Sequence, residues 1–224
     1  MKKIGLIAAM KKELTPFLSA MGMPRDTQKI YKNVDIYNYS DKTVYVTESG
    51  IGEIAAAGAV QHLISRYEVD AIINFGVCGS LGKLKTMDCA AVESAVHYDF
   101  DLTAIDDTAV GVYPGKASPY IAADRELMNK IIGLDCRVKT VVSASGDKFV
   151  ADNRFKSELV KNFGAEVCDM ETAGIYLTCA ECGVPCVSVR TVSDGEGGAE
   201  EYARLVDAAC EKNAELLFKL LKII

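Results

Sequence analysis

Residues 3–9 read KIGLIAA, a nearly unbroken apolar run of the kind a strand buried on both faces requires. Directly afterwards Met10, Leu14, Phe17, Leu18 and Met21 recur at helical spacing until Gly22 and Pro24 stop the pattern, so a helix packs against that strand. Residues 34–39 and 43–48 alternate apolar and polar positions around Ser40-Asp41-Lys42, a hairpin-like pair that makes the sheet mixed. After the tight loop Ser49-Gly50-Ile51-Gly52, residues 53–67 carry Ala57, Val60, Ile64 and Tyr67 on one stripe and predict a crossover helix. Residues 70–75 predict the next buried strand, ending in Gly76-Val77-Cys78-Gly79, where glycines let backbone approach a ligand.

Strand and helix keep alternating beyond this point. Residues 90–96, 137–143 and 184–189 predict strands, and 125–132, 153–163 and 171–182 predict helices. A long amphipathic helix over 201–221, with Tyr202, Leu205, Val206 and Ala209 leading its apolar stripe, closes the chain. Two stretches, 105–118 and 195–199, read as loops over a site. With 224 residues, half of them apolar, and no linker or repeat, the expectation is an α/β protein: one domain over residues 1–224, a three-layer sandwich with a mixed central sheet.

The net charge of -6 leaves no basic surplus for nucleic acid or an anionic membrane, so neither is expected as a partner and the ligand is small. No apolar run is long enough to span a bilayer and no signal-like segment opens the chain, so a cytoplasmic location is expected. The eight cysteines then read as reduced thiols; Cys179-Ala-Glu-Cys182 with Cys186 could form a redox pair or metal clip, but Cys179 and Cys186 sit where buried thiols are at home.

Polar and glycine clusters recur where predicted strands end: Glu13, 50–52, 76–79, 145–147 and 193–195. Ligands of open α/β sheets gather outside such ends, so these clusters are expected to converge on one pocket. Glu13 lies at a helix N-terminus, ready to accept a proton, although beside Lys11 and Lys12 the pattern alone reads as a first-turn surface residue. Within Cys168-Asp169-Met170-Glu171, Asp169 reads as a helix cap, while Glu171 is either functional or structural. Arg190 and Asp194 emerge near the end of one buried strand, as a structural ion pair or as site residues. Gly76-x-x-Gly79 lacks the dinucleotide fingerprint, and His62 and His97 support no Ser/His/Asp triad; His97 reads as structural. Acids flank 195–198, which suits a lid and repels phosphate.

Taken together, IGLIAAMKKEL at the start, ESGIG at Glu48, NFGVCGSL at Asn74, SGDKFV at Ser145, CDMETAGI at Cys168 and VRTVSDG at Val189 occur in the order found in the nucleoside phosphorylase and nucleosidase family. Within it the chain most resembles the hydrolytic nucleosidases acting on methylthioadenosine and S-adenosylhomocysteine. The resemblance implies that Glu13, with Arg190 nearby, deprotonates the attacking water, and that Asp194, oriented by Ser193, protonates N7 of adenine. It implies further that Glu171 holds the ribose hydroxyls over Met170, and that Phe149 and Val150 stack on the base and read its edge. Ile51, Val77, Cys78 and Gly79 lie in the glycine clusters expected to face the substrate. No cofactor and no metal are implied, and a homodimer is, with the loop over 105–114 closing the 5' end of the partner's pocket. Val77 replaces a small hydroxyl residue usual in these nucleosidases, and Gly197, Gly198 and Ala199 stand where an aromatic normally covers the 5' group.

The alternatives are a phosphate-dependent purine nucleoside phosphorylase, a nucleosidase for another 5'-modified purine nucleoside, and a non-catalytic nucleoside-binding protein. Purine phosphorylases place arginines where this chain has Asn74 and the turn Met10-Lys11-Lys12-Glu13, and an acid at Glu13 repels phosphate, so hydrolysis is favoured.

Overall fold

A computed structural model describes residues 1–135 and 137–224; Cys136 lies outside the described residues. The chain opens with β1 (Lys3–Ala8), α1 (Lys11–Met21), β2 (Asp26–Lys29), β3 (Asn33–Tyr39), β4 (Lys42–Glu48) and α2 (Glu53–Tyr67). It continues through β5 (Ala71–Ser80), β6 (Cys89–His97), β7 (Tyr120–Ala122), α3 (Arg125–Leu134) and β8 (Lys139–Ser145). The last elements are α4 (Asn153–Phe163), β9 (Val167–Asp169), α5 (Thr172–Cys182), β10 (Cys186–Asp194) and α6 (Gly198–Leu221).

All the strands join one mixed sheet. Parallel pairs β1–β4, β1–β5 and β5–β10 form its centre, and the β3–β4 hairpin adds antiparallel pairing at one side. On the other side the sheet folds back on itself: β10 pairs with β6, β6 with β8, β8 with β9, and β9 returns to β5. The apolar stripes of α1, α3 and α6 pack on one face, with Phe17, Leu127 and Leu217 in the core. Those of α2 and α5 pack on the other through Leu63 and Tyr176, which gives the three layers. No helix among the described residues is long and apolar enough to cross a membrane.

Two strands run further than their apolar patterns suggest. β5 continues through Gly76-Val77-Cys78-Gly79, which lie within the strand and not in a loop after it, and β10 carries on through Arg190, Ser193 and Asp194. Both strands are buried along their whole length and pair with each other in parallel from Ile72 to Gly79 of β5. β5 meets β1 over Ala71–Asn74 and β9 only at Gly79–Ser80. The interval between them leaves backbone groups of β5 open on one edge, and the crevice of the fold forms there, where neighbouring strands diverge. A bulge in β10 between Val192 and Asp194 re-aims the strand end at the same place. The segment 195–199 is not wholly a loop, since α6 already begins at Gly198. Residues 105–118 contain no helix or strand.

The described cysteines are free thiols, with Cys179 and Cys186 buried as their patterns suggest and Cys182 exposed. No metal-binding cluster occurs among the described residues.

Phe17 is fully buried and stacks on Phe218 at 4.8 Å while tilting against Phe75 at 6.0 Å, joining α1, α6 and β5. We expect Phe17→Ala to lose about 3–5 kcal/mol of stability in denaturant unfolding. A loss below about 1 kcal/mol would show that this aromatic cluster does not hold the layer together.

Candidate active site

Glu13 comes from the first turn of α1, yet it is 2 % exposed. The surface position beside Lys11 and Lys12 is therefore not where it sits. Its two oxygens accept from different backbone groups: Oε1 from Val77 N–H at 2.9 Å, Oε2 from Met10 N–H at 3.0 Å. Val77 belongs to the interval of β5 left open between β1 and β9, so the topology supplies the donor. Gly76 permits the approach, because a Cβ there would lie 2.4 Å from Glu13 Oε1 and 2.8 Å from Arg190 Nη1. Burial raises the Glu13 pKa, and the charge of Arg190 works against that rise.

Arg190 lies behind Glu13, fully buried on β10. Its Nη2 donates to Asn74 Oδ1 at 2.7 Å and Thr172 Oγ1 at 2.8 Å, and lies 3.7 Å from Asp169 Oδ1 and 3.6 Å from Glu171 Oε2. Its Nη1 donates to the Val77 carbonyl at 3.4 Å. Arg190 is thus partnered with Asp169 and Glu171, and no ion pair joins it to Asp194. Burial works against its charge, but Asp169, Glu171 and Glu13 hold the guanidinium firmly protonated.

Asp169 behaves as the cap its sequence suggests, accepting from the N–H groups of Glu171 and Thr172 at 3.0 and 2.9 Å. It also accepts the hydroxyls of Ser143 at 2.6 Å and Thr172 at 2.7 Å. Burial pushes its pKa up, but Arg190 and these donors outweigh it and leave Asp169 below the ordinary carboxylate range. Glu171 accepts from Gly52 N–H at 3.3 Å, and burial, only partly offset by Arg190, raises it to about 7.

Asp194 sits across the cleft at the end of β10, accepting from Ser193 Oγ at 2.8 Å. Burial raises its pKa above the usual value. The residue after it is clamped from both sides: Glu201 accepts the Gly195 N–H at 2.8 Å, and Lys156 Nζ donates to the Gly195 carbonyl at 2.5 Å. Helices α6 and α4 thereby fix the turn that carries the acid.

These groups face one cleft of about 120 Å³. Glu13, Ile51, Val77, Cys78, Gly79 and Phe149 line it, together with Val150, Met170, Glu171, Ser193 and Asp194. Every site residue expected from sequence is therefore on its wall except Arg190, which stands behind Glu13. Tyr202 also lines the cleft, from the start of α6, with its ring edge-on to Phe149 at 5.8 Å. An aromatic thus covers this end of the site even though 197–199 are small residues. Its sequence signal was only a place on an apolar stripe. Asn74, which also donates to the Ile7 carbonyl at 3.1 Å, and Asn213, which ties the Gly76 and Val189 carbonyls at 2.7 and 3.1 Å, gave no signal of their roles. His97 is structural, between Tyr113 Oη at 2.6 Å and Asp99 at 2.8 Å.

Residues 3–224 match the family model of the phosphorylase superfamily. An aminodeoxyfutalosine nucleosidase of Helicobacter pylori is 33% identical over 99% of this chain and 96% of its own length. A 5'-methylthioadenosine/S-adenosylhomocysteine nucleosidase of a Shewanella species is 33% identical over 86% of this chain and 85% of its own. The solved structure of the Helicobacter pylori 5'-methylthioadenosine/S-adenosylhomocysteine nucleosidase with butyl-thio-DADMe-Immucillin-A superposes with a TM-score of 0.95 at 28% identity. It covers 100% of this chain and 99% of that one.

The electrostatics of the cleft give a direct expectation. Replacing Arg190 with methionine leaves Asp169 and Glu171 without their cation, which should cost about 3–5 kcal/mol at pH 8. Because protonation relieves uncompensated carboxylates, the loss should shrink at pH 5. Equal losses at both pH values in denaturant titrations would contradict this arrangement.

Proposed function

The chain belongs to the phosphorylase superfamily, and from that premise we propose that it hydrolyses the N-glycosidic bond of 5'-methylthioadenosine and S-adenosylhomocysteine, releasing adenine and the thio-sugar. The observation that carries this reading is the placement of two buried carboxyl groups, Glu13 and Asp194, on one small cleft with different partners. Glu13 accepts a proton from water as that water attacks the anomeric carbon, and Asp194 gives a proton to N7 of the departing base. Adenine leaves poorly as an anion, so the acid lowers the barrier, and a carboxylate on the ribose hydroxyls, Glu171, supports the cationic sugar. The division of labour resembles that of glycoside hydrolases with a nitrogen leaving group.

Water is favoured over phosphate by the state of the cations near the cleft. Arg190 is already engaged by Asn74, Thr172 and the carboxylates, and Lys148 reaches over the Phe155 ring at 4.4 Å. An incoming phosphate would meet the Glu13 carboxylate, with the one arginine behind it already held by carboxylates and Lys148 of the cleft wall turned to the Phe155 ring. The exposed Ile51 of the cleft wall, with exposed Ile54 one turn further on in α2, supports a homodimer whose partner covers this rim. Aminodeoxyfutalosine is the second substrate reading, favoured by the identity of 33% over 99% of the chain with a nucleosidase of that name.

Incubation with 5'-methylthioadenosine, S-adenosylhomocysteine, aminodeoxyfutalosine, adenosine and inosine, with and without phosphate, separates these readings. Free base and free sugar from the thio-nucleosides without phosphate is the expected result; strict phosphate dependence with a sugar 1-phosphate product would overturn it. Turnover of aminodeoxyfutalosine alone would establish the second reading, and binding without turnover would make the protein a nucleoside sensor. Glu13→Gln and Asp194→Asn should each lower kcat by about 10²–10⁴-fold.

The pKa directions also shape the pH profile. Glu13 and Glu171 act as carboxylates and both lie above their ordinary values, Glu171 at about 7. Acidification should therefore reduce kcat/KM through a limb near neutrality, whereas a limb near the ordinary glutamate value would count against their burial in the working enzyme.

A further inference from the structure

Glu53, the first residue of α2, is buried behind the cleft, outside its lining and without a part in the chemistry above. Its Oε1 lies 2.5 Å from Ser145 Oγ, and its Oε2 accepts the Gly174 N–H at 2.5 Å. Ser145 Oγ lies equally in reach of Asp169 Oδ1, at 2.7 Å, and accepts the Ala173 N–H at 3.1 Å. A serine hydroxyl has one proton, so it can donate to only one of the two carboxyl groups. The other contact needs a proton of its own.

The surroundings decide where that proton is. Asp169 accepts from two backbone N–H groups and from the hydroxyls of Ser143 and Thr172, and it faces Arg190. This is the setting of an ionised carboxylate. Glu53 has the single N–H of Gly174 and no cation within ion-pair distance among the described residues. With the proton on Glu53 Oε1, the chain reads without conflict: Glu53 donates to Ser145, Ser145 donates to Asp169, and Asp169 meets Arg190.

The same residue governs the turn that reaches the substrate side. Glu53 N–H donates to Asp147 Oδ1 at 2.7 Å, and the preceding Gly52 N–H donates to Glu171 Oε1 at 3.3 Å. The side chain of Glu53 fastens that turn to Ser145 and to the first turn of α5, directly beyond Glu171. We propose that Glu53 is a positioning residue that works as a neutral acid, latching the Gly52 turn against α5 so that Glu171 is held for the ribose, and that loss of its proton releases the latch. The ribose role of Glu171 rests on the function proposed above; the proton on Glu53 does not.

The groups facing Glu53 act in one direction. Asp147 from the loop after β8, Asp169 of β9 and Glu171 at the start of α5 are acids, and Tyr98 and Tyr113 approach from the segment after β6. Arg190 of β10 pairs with Asp169 and Glu171 on the far side. Burial, reinforced by Asp169, accordingly raises Glu53 to about 8. Folded protein thus holds a proton that unfolded protein releases near 4.5, so this group's stabilisation is present at acid pH and is lost as pH rises towards 8.

The test compares wild type, Glu53→Gln and Glu53→Ala. Glutamine can give Ser145 an N–H and take the Gly174 N–H without ever ionising. We expect KM for 5'-methylthioadenosine in the wild type to rise above pH 8 by about tenfold per pH unit with kcat less affected. Glu53→Gln should keep the neutral-pH KM within about twofold and remove that rise, while Glu53→Ala should raise KM already at neutral pH. Thermal unfolding from pH 5 to 8 should show a steeper fall in Tm for wild type than for Glu53→Gln, whatever the substrate. An unchanged alkaline limb in Glu53→Gln, a neutral-pH KM as poor as that of Glu53→Ala, or identical Tm slopes would overturn the proposal. A wild type that turns over no nucleoside while the Tm slopes differ would refute the proposed function and keep the proton on Glu53.

Discussion

A guanidinium with no access to water must have its charge met by protein, and in this chain Arg190 imposes that requirement on the whole centre of the fold. Asn74 of β5, Thr172 of α5, Asp169 of β9 and Glu171 are all arranged around it. The charge in turn sorts the buried carboxyl groups. Asp169, nearest to the most donors, is kept ionised, whereas Glu13 and Glu171 are left above their ordinary values because burial outweighs what the arginine supplies. Asp194, across the cleft and outside this network, is raised chiefly by burial, with the Glu201 charge adding to it and Ser193 and Lys156 opposing. Glu13 and Asp194 thereby sit in different surroundings, one beside the buried cation and one away from it.

The backbone makes that sorting possible. β5 changes neighbours from β1 to β9 along one edge, and the N–H of Val77 in the interval is the group that draws Glu13 inwards. Gly76 removes the one Cβ that would keep the carboxylate and the guanidinium apart. The bulge at the end of β10 and the clamp on Gly195 by Lys156 and Glu201 then set Asp194 on the opposite wall.

Much of this was legible in the chain, and the limits have a physical pattern. The helices Glu53–Tyr67 and Asn153–Phe163 have the bounds their stripes suggest, because helix periodicity is local. The extents of β5 and β10 were cut short at Gly76 and Arg190, where the apolar run breaks and burial depends on strands distant in sequence. Glu13 beside Lys11 and Lys12 has a surface pattern, and only its bond to Val77 on another strand explains its burial. Its part in the site came from family resemblance. Glu53 was invisible for the same reason, as an acid in a helix first turn gives no hint of the serine and second acid that meet it.

The central claim is that one buried cation divides the carboxyl groups of the site into opposite titration behaviours. The most direct measurement is a ¹³C NMR pH titration of the Asp and Glu carboxyl carbons, assigned with single Asn and Gln substitutions. The account predicts that Asp169 stays ionised below the ordinary aspartate value while Glu13, Glu171 and Asp194 take up protons above theirs. If Asp169 titrates upward together with the others, Arg190 does not organise the site and the account fails.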